Sequence, residues 1–177
     1  MKTVNHHPDA AMLVEFSAGT LETAASICVS AHLHFCNKCR SELLRLDQVG
    51  SQLMSETEPY AVGEQLFENV MAKIDAQPED LEPSNQLEDV SSSNSTDEYF
   101  PLAVNKLIES TAEEFSWRHM SASVDVARVK TGQKDYEVAL HKICAGGKTP
   151  RHGHSGKEFT VVLKGSFSDE KAVYSEG

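Results

Sequence analysis

The chain has 177 residues, 40% of them hydrophobic and 24% charged, the balance of a globular protein of one ordinary domain or two small ones. Its net charge of −11 argues against a nucleic-acid surface, which needs clustered Lys and Arg, and no apolar run approaches the roughly 20 residues of a membrane helix. The opening MKTVNHHPDAAML lacks the apolar centre of a secretory signal. A cytoplasmic setting is therefore expected, in which four cysteines stay reduced and metal binding is favoured over a disulfide framework.

The first patterns along the chain are helical. Pro8 suits the first turn of a helix that carries Met12, Leu13 and Phe16 and ends at Gly19. A second helix is predicted from about Glu22 to Phe35. A third runs from about Arg40 to Met54, with Leu43, Leu46, Gly50 and Leu53 along one side. The fourth, from Gly63 to Ile74, places Phe67, Val70, Met71 and Ile74 at i, i+3, i+4 and i+7, an apolar stripe that needs a partner.

The acidic excess belongs to one stretch. Between Glu56 and Glu98 there are 12 acidic residues and one basic residue, Lys73, while the rest of the chain carries 15 of each sign. Its centre, from Ala76 to Glu98, is polar, holds two prolines and a serine run, and offers little to bury, so it reads as a linker. Beyond it the signal changes to strands. VDVARV from Val124 to Val129 alternates, EVAL precedes a turn at Gly146 and Gly147, and FTVVL from Phe159 to Leu163 is a buried-strand run before Gly165. Strands punctuated by glycine turns suggest an all-β barrel or sandwich. Trp117 and His119 are expected to begin its core, and Cys144 to pack within a strand.

HLHFCNKC in the second helix contains His32-x3-Cys36-x2-Cys39. His32 and Cys36 lie one turn apart on one helical face, and Cys39 falls where that helix must end and turn. Two thiolates and an imidazole favour zinc, and a closed tetrahedral site needs a fourth ligand, which the pair His6 and His7 can supply. The competing readings are a redox CxxC or a buried cysteine pair. Cys28 sits among small apolar positions beside Ala24 and Ala31 and reads as packing, and His34 points away from the Cys36 face. An N-terminal histidine followed by H-x3-C-x2-C resembles the zinc-binding anti-sigma family, and HHPDAAMLVEFSAGTL with HLHFCNKCR resembles its ChrR branch. The resemblance covers residues 1–75. It implies a helical unit that clamps an extracytoplasmic-function sigma factor, with His7, His32, Cys36 and Cys39 as ligands of a structural zinc.

A second constellation is Gly146-x5-His152-x-His154-x3-Glu158-x6-Gly165. In an extended segment His152 and His154 share a side, and Glu158 can join them from the next strand. The spacing resembles the first cupin motif. Two imidazoles and a carboxylate suit zinc or another divalent metal such as iron, manganese or nickel. The cupin pattern also has a later motif that begins with glycine and contributes another histidine. With Gly177 standing where that motif would start, this site is expected to be incomplete and to hold metal weakly or not at all.

The expected fold is α+β: a small helical zinc-binding bundle at 1–75, an acidic flexible linker at 76–98, and an incomplete cupin-like β-barrel at 99–177. The expected function is that of a zinc-dependent anti-sigma factor, not an enzyme. It would inhibit an extracytoplasmic-function sigma factor without touching nucleic acid or membrane, and by resemblance would release it under oxidative stress, singlet oxygen above all. The fourth-helix stripe of Phe67, Val70, Met71 and Ile74 independently suits a partner-binding role. The alternatives are a cupin enzyme of the dioxygenase kind with a helical extension, and a generic zinc-stabilised interaction module.

Overall fold

A computed structural model describes residues 4–76, 100–111, 115–149 and 156–177. Its elements in chain order are α1 (Ala10–Ser17), α2 (Thr23–Phe35), α3 (Asn37–Ser55), α4 (Glu64–Asp75), α5 (Leu102–Ser110), β1 (Arg118–Ser121), β2 (Val124–Val129), β3 (Val138–Ile143), β4 (Ser166–Ser168) and β5 (Val173–Ser175). Helices come first and antiparallel strands last, an α+β arrangement. Residues Met1–Gln52 and Tyr99–Gly177 form one compact unit, and Leu53–Glu98 form another. The proposed linker centre, residues 77–98, lies outside the described residues.

The helices begin and end for local reasons. Asp9 caps α1 by accepting a hydrogen bond from the Met12 amide at 2.8 Å, so Pro8 precedes the helix rather than forming its first turn. At the other end Gly19 adopts φ 70°. Its N–H bonds Phe16 O and the Thr20 N–H reaches back to Glu15 O, closing a Schellman turn. The break between α2 and α3 falls at a single extended residue, Cys36 (φ −108°, ψ 102°). Its N–H donates to His32 O and its carbonyl accepts from Arg40 N, so it ends one helix and opens the next. α3 consequently starts at Asn37, three residues before the expected start near Arg40, and Cys39 sits in its first turn.

The first core is small: Leu13, Val29, Cys36 and Cys39 are buried, and Val4, Met12, Phe16, Leu21, Leu33 and Leu46 pack around them. Leu53 is exposed, so the side of α3 expected to be apolar throughout is covered only as far as Leu43 and Leu46. In the second unit, Phe67, Val70, Met71 and Ile74 of α4 are all exposed, from 40% at Met71 to 73% at Phe67.

The strands form a three-stranded antiparallel sheet of order β1-β2-β3 and a separate β4-β5 hairpin. In the central strand, Val124, Val126, Ala127 and Val129 are buried, so both faces of the sheet are covered there and the alternation is not a simple inside–outside pattern. Ahead of the sheet stands a helix that the strand-like pattern of this region did not predict. α5 opens on the buried Pro101, buries Val104, half-buries Leu107 and Ile108 on the same face, and packs against α2. Two expectations fail. Phe159–Leu163 is half-buried at Val161, Val162 and Leu163 but is not a strand, because the bond from Gly177 N to Val162 O at 3.0 Å is a tie and not a ladder. Trp117 and His119 do not begin a core: both are exposed, and His119 pairs with Asp125 at 2.7 Å.

Candidate metal centre

Four side chains from four places along the backbone converge. His7 comes from the segment before α1, His32 from the last turn of α2, Cys36 from the break and Cys39 from the first turn of α3. Their candidate ligand atoms all lie within 4.8 Å of one another, and among the described residues this is the group able to hold a metal ion. Cys36 Sγ and Cys39 Sγ each lie 3.4 Å from His7 Nδ1. That is close to the edge of about 3.5 Å between nitrogen and sulfur ligands of a tetrahedral zinc site with Zn–S near 2.3 Å and Zn–N near 2.0 Å. His32, Cys36 and Cys39 are buried while His7 closes the site from the exposed side.

The decisive atom is His32 Nε2. It is buried and has no hydrogen-bond partner, although buried polar atoms are rarely left so. The other ring nitrogen, Nδ1, lies 2.6 Å from Gly177 O. A main-chain oxygen only accepts, so Nδ1 carries the proton and Nε2 presents a lone pair to the cluster. A cation there satisfies the orphaned atom, and the donor set fits zinc.

Electrostatics agree with that use. Desolvation lowers the His7 imidazole below its ordinary value, and the nearby charges of Lys38, His32 and His6 lower it further. Burial likewise lowers His32, with the Gly177 hydrogen bond partly opposing it. Both rings are thereby held in the neutral, ligating form. Burial pushes the Cys39 thiol up to about 11, helped by the hydrogen bond and charge of Cys36. A metal must therefore displace a proton from Cys39 on binding.

The break that creates the site is held by a residue that motif spacing does not flag. Arg40 donates from Nη1 to Leu33 O at 2.6 Å and His34 O at 2.9 Å, and from Nη2 to the Asn37 side chain. It thus ties off the last carbonyls of α2 from the first turn of α3. The signal was a basic residue just after a helix end. In the same turn the Cys39 N–H donates to Cys36 Sγ at 3.4 Å, the sulfur standing where a capping oxygen would.

The competitors lie elsewhere. His6 packs its ring on Tyr174, centroids 4.9 Å apart, and His34 is exposed with its ring against Phe35. Cys28 is half-buried, and burial raises its thiol. Cys144, expected to be packed in a strand, is exposed just past the end of β3. Of the second constellation, His152 and His154 lie outside the described residues, and Glu158 is exposed.

Comparison with known proteins places these features in context. Residues 106–177 match the family described as the ChrR cupin-like domain. The anti-sigma-E factor ChrR of Cereibacter sphaeroides is 34% identical over 175 residues, spanning 99% of this chain and 78% of that protein. The crystal structure of Rhodobacter sphaeroides SigE in complex with the anti-sigma ChrR superposes with a TM-score of 0.75 at 34% identity, covering 98% of this chain and 84% of that one.

Proposed function

The chain belongs to the ChrR family of anti-sigma factors, regulatory proteins and not enzymes, and from that membership we propose that it binds and inhibits an extracytoplasmic-function sigma factor. The observation that carries the reading is the match, over 98% of the chain, to a protein solved in complex with its sigma factor. The apolar stripe of α4 supports it, since Phe67, Val70, Met71 and Ile74 offer a helix-in-groove ligand that the protein's own fold leaves exposed. The complex would form in the cytoplasm, where the sigma factor meets RNA polymerase. No helix among the described residues is long and apolar enough to cross a membrane.

In this reading His7, His32, Cys36 and Cys39 hold zinc, and residues 1–75 act as the sigma-binding domain, 76–98 as linker and 99–177 as a sensing domain of cupin type. Bound zinc would supply a cross-link joining the segment before α1 to the end of α2 and the start of α3. His152, His154 and Glu158 would form a second, weaker site for zinc or another divalent metal. Release of the sigma factor would follow oxidative stress such as singlet oxygen, through a change in the C-terminal part.

Titration of the purified chain against an extracytoplasmic-function sigma factor tests the central claim. One-to-one binding that blocks assembly with core RNA polymerase is expected, and it should weaken when zinc is removed by chelation. Absence of binding by the zinc-loaded chain to every such sigma factor encoded beside it overturns the reading. Binding unaffected by zinc removal overturns the zinc dependence alone.

A further inference from the structure

Three contacts join the C-terminal part to the region of the metal centre, two of them to the helix that carries His32 and one to the segment that carries His7, and each has a separate chemical basis. At the N-terminus of α2, where the helix's own residues supply no side-chain cap, Gln133 Oε1 accepts from Ala24 N at 3.0 Å while its Nε2 donates to the Glu22 carboxylate. At the metal-ligating end, Gly177 O receives the His32 Nδ1 proton at 2.6 Å. Beside it, Tyr174 of β5 packs on His6, the neighbour of His7.

The close approach at Gly177 is demanding. Its φ is 94°, and a Cβ there would lie 2.8 Å from both Phe35 Cβ and Val4 Cγ2. Only a residue without a side chain brings its carbonyl so near the His32 ring. The same glycine donates its N–H to Val162 O, which ties it back to the Val161–Leu163 segment of the C-terminal part.

We propose that Gly177 is a positioning residue for the metal centre: its main-chain oxygen holds His32 in the Nδ1–H tautomer with Nε2 aimed at His7, Cys36 and Cys39. The metal affinity of the N-terminal site is then set by the docking of the C-terminal strands. This inference rests on the reading of the four-residue cluster as a metal site. A histidine ligand whose second nitrogen is held by a carbonyl is more basic and better oriented, and loss of such partners typically costs about 10- to 100-fold in metal affinity. Undocking the strands would therefore loosen the metal without any change to its four ligands.

The test measures cobalt(II) and zinc affinity by chelator competition in the full chain and in Gly177→Val, whose side chain must push the carbonyl away from Phe35 and Val4. An affinity about 10- to 100-fold lower is expected, with the cobalt–thiolate absorption still present at saturation because both cysteines remain. Binding within twofold of the parent in a folded variant overturns the inference. Should Gly177→Val fail to fold, Tyr174→Ala provides the same measurement without backbone strain, with a several-fold loss expected and an unchanged affinity counting against the proposal. Independently, the histidine nitrogen spectrum of the zinc-loaded parent chain should show His32 protonated at Nδ1. A proton on Nε2, or zinc on Nδ1, overturns it whatever the variants do. A parent chain that binds no metal at His7, His32, Cys36 and Cys39 instead overturns the underlying metal-site reading.

Discussion

The four cysteines divide by environment into three kinds, and thiol chemistry should report the division. Cys144 is exposed, Cys28 is half-buried with its thiol raised by burial, and Cys36 and Cys39 are buried in the candidate metal cluster. Alkylation of the zinc-loaded protein at neutral pH is expected to modify Cys144 first and Cys28 slowly, with Cys36 and Cys39 reacting only after chelation. Mass spectrometry of the labelled peptides checks the order, and rapid labelling of Cys36 before zinc is removed would contradict the cluster. The metal-free protein should also lose stability in alkali. Folding raises Cys28 and Cys39 above the ordinary thiol value of 9.0, Cys39 to about 11. As pH rises past the unfolded value, the unfolded chain gives up protons that the folded chain keeps, and the balance shifts toward unfolding. The melting temperature of the apo protein should fall between pH 8 and pH 11, and by less in Cys28→Ala. A fall of the same size in that variant would remove Cys28 from the account.

Among the described elements, α4 carries an apolar stripe that is exposed along its length. Phe67 is 73% exposed and Met71 40%. Truncating them should leave the fold intact, because neither contributes to the buried core. On the proposed sigma-binding role, Phe67→Ala with Met71→Ala weakens the complex about 10- to 100-fold, since a few apolar anchors carry most of the energy of such interfaces. Circular dichroism checks the fold and titration calorimetry the affinity. A folded double variant that binds with unchanged affinity takes α4 out of the interface. Helix existence was legible from the spacing of apolar residues for α1 to α4, because that period is set by local backbone geometry. α5 was not, since only nine residues, LAVNKLIES, carry its stripe, and its stability comes from packing on α2. The Phe159–Leu163 run shows the reverse error: β-branched residues favour extended backbone but cannot make a strand without a partner to complete the ladder.

At the scale of the whole chain, residues before and after the acidic segment share one compact unit. A protease that cuts after glutamate has sites at Glu79 and Glu88. Cleavage there should give two fragments that still co-elute in size-exclusion chromatography, held by α5 against α2, Gln133 at the start of α2 and Gly177 at His32. Zinc removal should favour their separation, and fragments that part while zinc remains bound would show that these contacts are too weak to couple the two regions. The sequence by itself determined the helical half and the His32-x3-Cys36-x2-Cys39 motif, because one turn of helix and one break place those donors side by side without help from distant residues. It left the choice between His6 and His7 open on spacing. That choice, and the tautomer of His32, depend on Tyr174 and Gly177, which lie more than 140 residues away in the chain. Such contacts leave no periodicity in the sequence, since a ring contact and a main-chain hydrogen bond need only one residue each, and only the tertiary structure brings them to the candidate metal centre.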